Sequence, residues 1–265
     1  MSSQGRHARA EHGGARVVFV TGTGTEVGKT VTTAAIAALA LASRQRVAVV
    51  KPCQTGVSAG SPGDVDEVAR LAGALTTREL ARYPDPLAPE TASRRCGLPP
   101  VRPEHVGQAV AELSREHDLV LVEGAGGLLV RYDDEGHALA DMARAVTDTG
   151  LRPEVLVVAA AGLGTLNTTA LTLEALRSRG LPPLGVVVGS WPREPDLADR
   201  CNLVDLPKIA ATPLLGALSE RIAASRGRDS FRRFAQAGLA PALGGRWDAA
   251  AFTESQQDAF PSCAL

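Results

Sequence analysis

A glycine-rich loop that carries one lysine is the stretch of this sequence best suited to chemistry. Residues 21–30 read Thr-Gly-Thr-Gly-Thr-Glu-Val-Gly-Lys-Thr, between apolar residues 17–20 and an apolar, helix-like run over 31–42. A strand, a glycine loop and a helix in this order can cradle phosphates, because backbone N–H groups and the helix N-terminus attract anions. Lys29 would neutralise phosphate oxygens, and the Thr30 hydroxyl would ligate Mg²⁺.

The glycine spacing of this loop departs from the usual pattern, in which four residues separate a first glycine from Gly-Lys-Ser/Thr. Gly22 lies one residue too early, and Thr23 stands at the expected position. A tight strand-to-helix turn with an incidental lysine is the alternative interpretation. The apolar runs on both sides favour a nucleotide-binding loop.

Three further charged residues lie where they could serve a phosphate site. Glu123 ends an apolar run at the turn Glu-Gly-Ala-Gly-Gly, where its carboxylate could reach Mg²⁺, and Asp64 could supply a second carboxylate. Lys51 ends the second apolar run. Each also has an ordinary interpretation: a strand-end charge for Glu123, a helix cap for Asp64 and a surface lysine for Lys51. Only three of the 28 basic residues are lysines, which indicates that a compact ammonium is needed at Lys51.

The elements that must position these residues alternate between strands and helices. Apolar, β-prone runs predict strands over 17–21, 46–51, 118–123, 154–159, 184–190 and 213–218. Helical spacing predicts helices over 31–42, 64–72, 104–115, 139–146, 165–179 and 196–206. The proline-rich residues 81–103 are predicted to be irregular. This alternation predicts one α/β domain with a doubly wound, mostly parallel sheet, whose ligand crevice lies beyond the carboxyl ends of the strands.

Composition restricts the classes of function. The chain has 265 residues, 45% of them hydrophobic, and a net charge of −1, which gives no reason to expect a nucleic-acid partner. No uninterrupted apolar run approaches the roughly 18 residues of a membrane span. Its four cysteines are scattered without metal-ligand spacing, as reduced thiols in the cytoplasm would be. We expect residues 1–15 to be a disordered extension, 16–225 the domain, and 226–265 a peripheral helix with a loose tail.

Taken together, four segments resemble the dethiobiotin synthetase family, ATP-dependent enzymes of biotin synthesis. They are residues 21–30, 51–56 (Lys-Pro-Cys-Gln-Thr-Gly), 122–127 (Val-Glu-Gly-Ala-Gly-Gly) and 163–168 (Leu-Gly-Thr-Leu-Asn-Thr). The resemblance implies a P-loop NTPase-like fold and a ligase reaction. In that reaction CO2 adds to one amine of 7,8-diaminopelargonate, and the carbamate attacks the γ-phosphate of ATP. The other amine then closes the ring of dethiobiotin and phosphate leaves.

The resemblance also implies roles for the residues at matching positions. Lys29 and Lys51 would be catalytic, because their ammonium groups neutralise the phosphates, the carbamate and the mixed anhydride. Thr30, Asp64 and Glu123 would ligate Mg²⁺. The implied nucleotide-binding residues are Glu26, Val27, Gly28, Lys29, Thr30, Val31, Asp64, Glu123, Gly124, Ala125, Gly126, Gly189 and Ser190.

The same resemblance divides the substrate between two sites. Thr55 and Lys51 would bind it near its amines, and its carboxylate would be held at the start of the predicted helix 165–179 in the second subunit of a homodimer. The residues implied there are Gly164, Thr165, Leu166 and Asn167. From the sequence alone the same turn is an ordinary helix start, and Asn167 as a cap is hard to distinguish from Asn167 as a ligand.

One departure from the family concerns the nucleotide base. Many members end the strand at 184–190 with an Asn that reads adenine. Here residues 189–192 are Gly-Ser-Trp-Pro, a form that resembles a group associated with cytidine nucleotides. CTP is therefore a candidate co-substrate in addition to ATP.

Two other classes of protein share the predicted fold. ParA/MinD-like ATPases, which are nucleotide-switched partner-binding proteins, usually carry a lysine near the start of the phosphate loop, and residues 21–27 contain none. An amidotransferase-associated ligase of the cobyric-acid type would need a glutaminase Cys/His module, which the cysteines and histidines here do not form. The leading hypothesis is a cytoplasmic, homodimeric dethiobiotin synthetase without a membrane or nucleic-acid partner.

Overall fold

The computed structural model describes residues 14–257, in which strands and helices alternate. The strands are β1 (Arg16–Gly22), β2 (Val47–Lys51), β3 (Gln54–Thr55), β4 (Thr76–Glu79), β5 (Arg82–Tyr83), β6 (Leu119–Gly127), β7 (Pro153–Ala159), β8 (Pro183–Trp191) and β9 (Leu214–Ser219). The helices are α1 (Lys29–Ala42), α2 (Asp64–Ala72), α3 (Pro89–Cys96), α4 (Pro103–Leu113), α5 (Leu139–Asp148), α6 (Thr165–Ser178), α7 (Leu197–Ala210), α8 (Arg228–Gly238) and α9 (Ala249–Gln257), with a 3-10 turn at Pro241–Leu243. Every strand and helix predicted from the sequence is present, with ends that differ by a few residues.

A seven-stranded parallel sheet in the order β4-β2-β6-β1-β7-β8-β9 forms the centre of the fold. This confirms the expected doubly wound α/β architecture. β1 lies between β6 and β7, and Val20 of β1 is level with Glu123 of β6. Because parallel strands end at the same edge, the ends of β1, β2 and β6 bring the phosphate loop, Lys51 and Glu123 together.

Helices cover both faces of the sheet. Successive residues of β1 alternate between two apolar clusters: Phe19 packs in one with Met142 of α5, and Val18 packs in the other with Ile36 of α1. Burial on both faces explains why the central strands are continuously apolar in the sequence.

The region between α2 and α4 differs from the sequence prediction. β4 is an edge strand of polar residues that pairs only with β2, so it has no apolar pattern that could have revealed it. Residues 81–103, expected to be irregular, contain β5 and α3. Pro89 is the first residue of α3, a position where its missing N–H and fixed φ are compatible with a helix. The prediction that the proline-rich residues 81–103 are irregular is therefore wrong for β5 and α3.

The segment after residue 225 is more closely packed than expected. α8 buries Phe231 and Ala235 in the same cluster as α1. α9 places Phe252 edge-on to Trp191 at the end of β8, with 5.5 Å between the ring centroids. The described residues 226–257 thus contain two helices that pack on α1 and β8, and the division of the chain at residue 225 stays a prediction. Residues 1–13 and 258–265 lie outside the described range, and the expectations for them stay predictions.

Among residues 14–257, no helix has both the length and the apolar character that a membrane crossing requires.

Candidate functional site

The loop between β1 and α1 brings backbone N–H groups and a buried ammonium to the end of the sheet. Gly28 is the N-cap of α1, with a φ of 93°. A Cβ placed on it would lie 2.5 Å from the carbonyl oxygen of Gly189, so only glycine fits between the loop and β8. Because Gly28 has no side chain to cap the helix, the first N–H groups of α1 are free to bind an anion.

The Lys29 side chain folds back over this loop. Its Nζ donates to the carbonyl of Gly24 at 2.9 Å, and the residue is 8% exposed. Burial, followed by repulsion from the Lys51 ammonium, lowers the pKa of Lys29 below its usual value. The structure therefore holds this cation beside the helix N-terminus, where a phosphate chain would find both.

A second buried ammonium, on Lys51, lies between the two predicted carboxylates. Its Nζ is 2.5 Å from Oδ2 of Asp64 and 2.9 Å from Oε1 of Glu123. The Thr30 hydroxyl donates to the same Glu123 oxygen at 2.8 Å. Burial alone would lower the pKa of Lys51, but the carboxylates of Glu123 and Asp64 outweigh it and raise that pKa. Lys51 is therefore fully charged, at the junction of the phosphate loop, β2 and α2.

This geometry excludes the ordinary interpretation of each residue. Lys51 is 3% exposed and Glu123 is 1% exposed, so neither is a surface charge. The N-cap of α2 is Gly63, and Asp64 is the first helical residue rather than the cap. All three charged groups point to a shared polar centre.

The oxygen atoms at this centre suit Mg²⁺. The Oε2 atom of Glu123 is buried and has no hydrogen-bond partner among the described residues. Together with Thr30 Oγ1 and the Asp64 carboxylate, it offers hard oxygen ligands. No group of three or more His, Cys, Asp and Glu side chains within 14–257 could hold a metal by itself. Two carboxylates and a hydroxyl are typical of an ion that takes its remaining ligands from substrate phosphates and water.

These residues line a cavity of about 830 Å³ at the carboxyl ends of β1, β2 and β6. Its lining includes the charged side chains of Lys29, Lys51 and Asp64 and the apolar side chains of Leu87 and Val130. Of the predicted site residues, the cavity is lined by Glu26, Gly28, Lys29, Thr30, Val31, Lys51, Thr55, Asp64, Glu123, Gly124, Ala125 and Gly126. A cavity lined by both charged and apolar side chains can hold a nucleotide phosphate beside an aliphatic chain.

The remaining predicted residues do not line this cavity. Gly189 lies directly behind the loop, since a Cβ placed on it would be 2.1 Å from the carbonyl oxygen of Val27, and Ser190 next to it is exposed. Gly164 is the N-cap of α6 and Asn167 is exposed on the first turn, where it makes no capping bond, so Asn167 is not a cap. Thr165 is buried and its hydroxyl donates to the carbonyl of Ala160.

Two buried side chains that the sequence did not single out support the site. The Tyr132 hydroxyl accepts the Ala125 N–H at 2.7 Å and so fixes the glycine turn after β6. Burial raises the pKa of Tyr132 to about 12, so it stays neutral. Gln54 bonds to the first residue of α2. Its position inside the 51–56 segment was a usable signal, whereas nothing in the sequence around Tyr132 distinguishes it.

Comparisons with known proteins agree with the fold and identify the family. An AAA domain family model matches residues 16–226. A protein named ATP-dependent dethiobiotin synthetase BioD from Saccharopolyspora erythraea is 66% identical over 231 residues, which are 87% of this chain and 98% of the relative. Its namesake from Streptomyces avermitilis is 61% identical over 239 residues, 90% of this chain and 98% of the relative.

More distant solved structures share the fold alone. A cobyrinic acid a,c-diamide synthase from Mycobacterium smegmatis has a TM-score of 0.53 and 20% identity, over 84% of this chain and 93% of the other. The septum site-determining protein MinD from Pyrococcus horikoshii has a TM-score of 0.51 and 18% identity, over 84% and 95%. Both rival classes considered above thus have the same architecture. Among these proteins, however, the sequence identity is high only with the relatives named dethiobiotin synthetase. The chain belongs to the ATP-dependent dethiobiotin synthetase family.

Proposed function

We propose that this protein is an ATP- and Mg²⁺-dependent cyclo-ligase that converts 7,8-diaminopelargonate and CO2 into dethiobiotin. The observation that carries this proposal is the buried Lys51 ammonium between Asp64 and Glu123, at the rim of the phosphate loop. A carbamate that must approach a polyanion needs a cation at this position, whereas the reaction of a MinD-like switch protein, which forms no carbamate, gives a lysine after β2 no comparable role.

The reaction places successive negative charges in one small volume. One amine adds to CO2 and forms a carbamate, whose oxygen attacks the γ-phosphate and displaces the nucleoside diphosphate. The second amine then attacks the carbonyl carbon of the mixed anhydride and expels phosphate. Phosphoryl transfer of this kind depends on positioning and on charge neutralisation more than on covalent help from the protein.

The described residues divide this work. Lys29 offsets charge on the β- and γ-phosphates, and Lys51 offsets charge on the carbamate and the anhydride. Thr30, Asp64 and Glu123 would hold Mg²⁺, which when bound would draw electron density from the phosphate oxygens. Thr55 lines the same cavity and would orient the amines by hydrogen bonding.

The carboxylate of the substrate needs a second site, and we assign it to a partner subunit. The start of α6, at residues 164–167, lies outside the cavity of its own chain, and the adjacent Leu163 is 95% exposed. Uncapped N–H groups at a helix N-terminus suit a carboxylate. A homodimer would place this turn of one subunit at the cavity of the other.

Mixing two inactive variants tests the dimer. Lys51→Gln disables the cavity, and Gly164→Asp puts a negative charge where the carboxylate would bind. If the two sites come from different subunits, mixed dimers regain activity because one of their two sites is intact. Mixtures that stay inactive after subunit exchange would refute the shared site, and light scattering would show independently whether dimers form.

A second proposal concerns the nucleotide, which we expect to include CTP. β8 ends in Gly189-Ser190-Trp191, which presents no side-chain amide to an adenine, and Gly189 is pressed against the phosphate loop. Steady-state competition between ATP and CTP decides the preference. A large advantage for ATP would refute the proposal.

The principal experiment supplies diaminopelargonate, bicarbonate, Mg²⁺ and ATP, and follows dethiobiotin by mass spectrometry. The Lys51→Gln variant and a reaction without diamine serve as controls. Dethiobiotin that appears only with the intact enzyme and all substrates supports the proposed function. ATP hydrolysis without dethiobiotin would favour a nucleotide-switched protein instead.

A further inference from the structure

Gln54 connects the substrate side of the cavity with its metal side. The residue is 5% exposed, although it is polar and lies at the edge of a large cavity. Its Oε1 accepts the Asp64 N–H at 2.8 Å, and its Nε2 donates to the carbonyl of Thr55 at 3.2 Å. One amide side chain thus contacts the backbone of both residues to which we assign ligand-binding roles.

The contact with Asp64 gives the first N–H of α2 a partner. An N-cap side chain accepts from the second or third N–H of a helix, and the N-cap here is Gly63, so the first N–H depends on another element. Gln54 supplies the missing oxygen from a different element, β3. A Cβ on Gly63 would lie 2.9 Å from that oxygen, so glycine is needed for the amide to approach. Gln54 therefore holds the first residue of α2, while the Asp66 carboxylate of the helix itself accepts the Gly63 N–H at 2.8 Å.

The start of α2 in turn determines where the Asp64 carboxylate lies. That carboxylate is 2.5 Å from Lys51 Nζ, and Lys51 is only three residues before Gln54 in the chain. β3 is fixed from the other side, because the Gln54 N–H donates to the carbonyl of Ala81 at 2.9 Å and Gln54 pairs with Arg82 of β5. A rigid β3 can transmit its position to the helix through a single side chain.

We propose that Gln54 is a positioning residue that holds Asp64 and Thr55 in one register, so that metal affinity and amine affinity depend on the same amide. The inference rests on the proposed function, in which Asp64 ligates Mg²⁺ and Thr55 orients the amines. The chemistry requires an amide, because the residue must accept from an N–H and donate to a carbonyl at the same time.

Two substitutions of similar length separate the two bonds. Gln54→Met keeps the volume and loses both, whereas Gln54→Glu keeps the acceptor for the Asp64 N–H and loses the donor for Thr55. We measure Mn²⁺ affinity of the full-length protein by electron paramagnetic resonance with a non-hydrolysable ATP analogue, and the KM for diaminopelargonate by dethiobiotin formation. Loss of a group that orients a metal ligand typically weakens metal binding about tenfold or more.

We expect Gln54→Met to weaken Mn²⁺ binding about tenfold and to raise the KM for the diamine. Gln54→Glu should restore Mn²⁺ affinity while the KM stays raised. The matched control is Asn202→Leu, which removes another buried amide whose Nδ2 donates to the carbonyls of Ala161 and Gly162 at 2.7 and 3.1 Å, away from the cavity. It should lower the Tm without changing Mn²⁺ affinity.

Unchanged Mn²⁺ affinity in Gln54→Met, or an equal loss in Asn202→Leu, would overturn the proposal, as would wild-type protein that binds no Mn²⁺. The Mn²⁺ titration needs no turnover. If the wild type binds Mn²⁺ but makes no dethiobiotin, the proposed function fails together with the amine-binding role of Gln54, while the titration still decides its role at the metal side. If it makes dethiobiotin and the variants bind Mn²⁺ normally, only the role of Gln54 fails.

Discussion

Replacing Lys51 by Gln should destabilise the protein and, at the same time, increase its response to Mg²⁺. The substitution leaves Glu123 and Asp64 without the ammonium that lies within 2.9 Å of both. Removing one partner of a buried ion pair costs about 3–5 kcal/mol. Because the Asp64 side chain is 35% exposed, water screens part of the loss, and we expect a value near the lower end, about 3 kcal/mol. For a domain of this size that corresponds to a fall in Tm of roughly 6–12 °C.

Mg²⁺ should reverse much of this loss, since it supplies the positive charge that the variant lacks. In the wild type the ion must compete with Lys51 for the same carboxylates, so its stabilising effect is smaller. Differential scanning calorimetry with and without Mg²⁺ measures both effects. Turnover should fall by about 10²–10³-fold, the usual loss when one group that stabilises developing charge is removed, while the nucleotide still binds.

Lys208→Gln is the matched control. Lys208 is paired with Asp205 at 3.0 Å, but its side chain is 67% exposed, and such surface pairs contribute little. Equal Tm values for the two variants would refute the claim that the buried ion pairs stabilise the fold. Unaltered turnover in Lys51→Gln would remove Lys51 from the reaction.

Two further changes test the site, and a third tests an ion pair that does not line the cavity. Glu123→Ala should raise the Mg²⁺ concentration needed for half-maximal activity, and an unchanged Mg²⁺ dependence would exclude it as a ligand. Tyr132→Phe removes the acceptor of the half-buried Ala125 N–H, so we expect a loss of about 1 kcal/mol in unfolding free energy and a higher KM for nucleotide. A normal KM would show that the glycine turn after β6 does not contribute to nucleotide binding. The hydrogen bond to Asp133 raises the pKa of His137 above 6.5, so its stabilising effect is complete below pH 6.5 and is lost as the pH rises through the raised pKa. The Tm difference between wild type and His137→Gln should therefore shrink as the pH rises over that range. A constant difference would show that the charged His137 does not stabilise the fold through Asp133.

The sequence was sufficient for the parts of the fold whose signal is local. The continuously apolar runs at β1, β6 and β7 predicted buried parallel strands, because burial on both faces leaves no polar alternation. Once parallel strands are adjacent, their ends must meet, so the proximity of Lys51 and Glu123 followed from topology. Edge strand β4 has polar residues on exposed backbone and gave no such signal.

Residues that act through one side-chain contact, rather than through a periodic pattern, could not be found in this way. Tyr132 reaches back to Ala125, and Phe252 reaches Trp191 from more than sixty residues away in the chain. Neither residue lies in a pattern whose period or composition differs from ordinary core. Residues 226–257 looked uninformative for the same reason: α8 and α9 are held by contacts with α1 and β8 that a local pattern does not encode.

The proposed site residues fall into two groups, one that lines the cavity and one that does not. The groups that we propose to hold phosphates and metal, Lys29, Lys51 and Glu123, line one cavity of a single chain. The turn at residues 164–167 follows β7, so it also comes after the carboxyl end of a strand of the sheet. It does not line that cavity. Topology therefore permits one chain to bind the nucleotide alone, but it separates the two ends of the proposed substrate. In the proposed homodimer a second copy of the chain would hold the other end, and the exposed Leu163 beside that turn would be available for apolar contact with it.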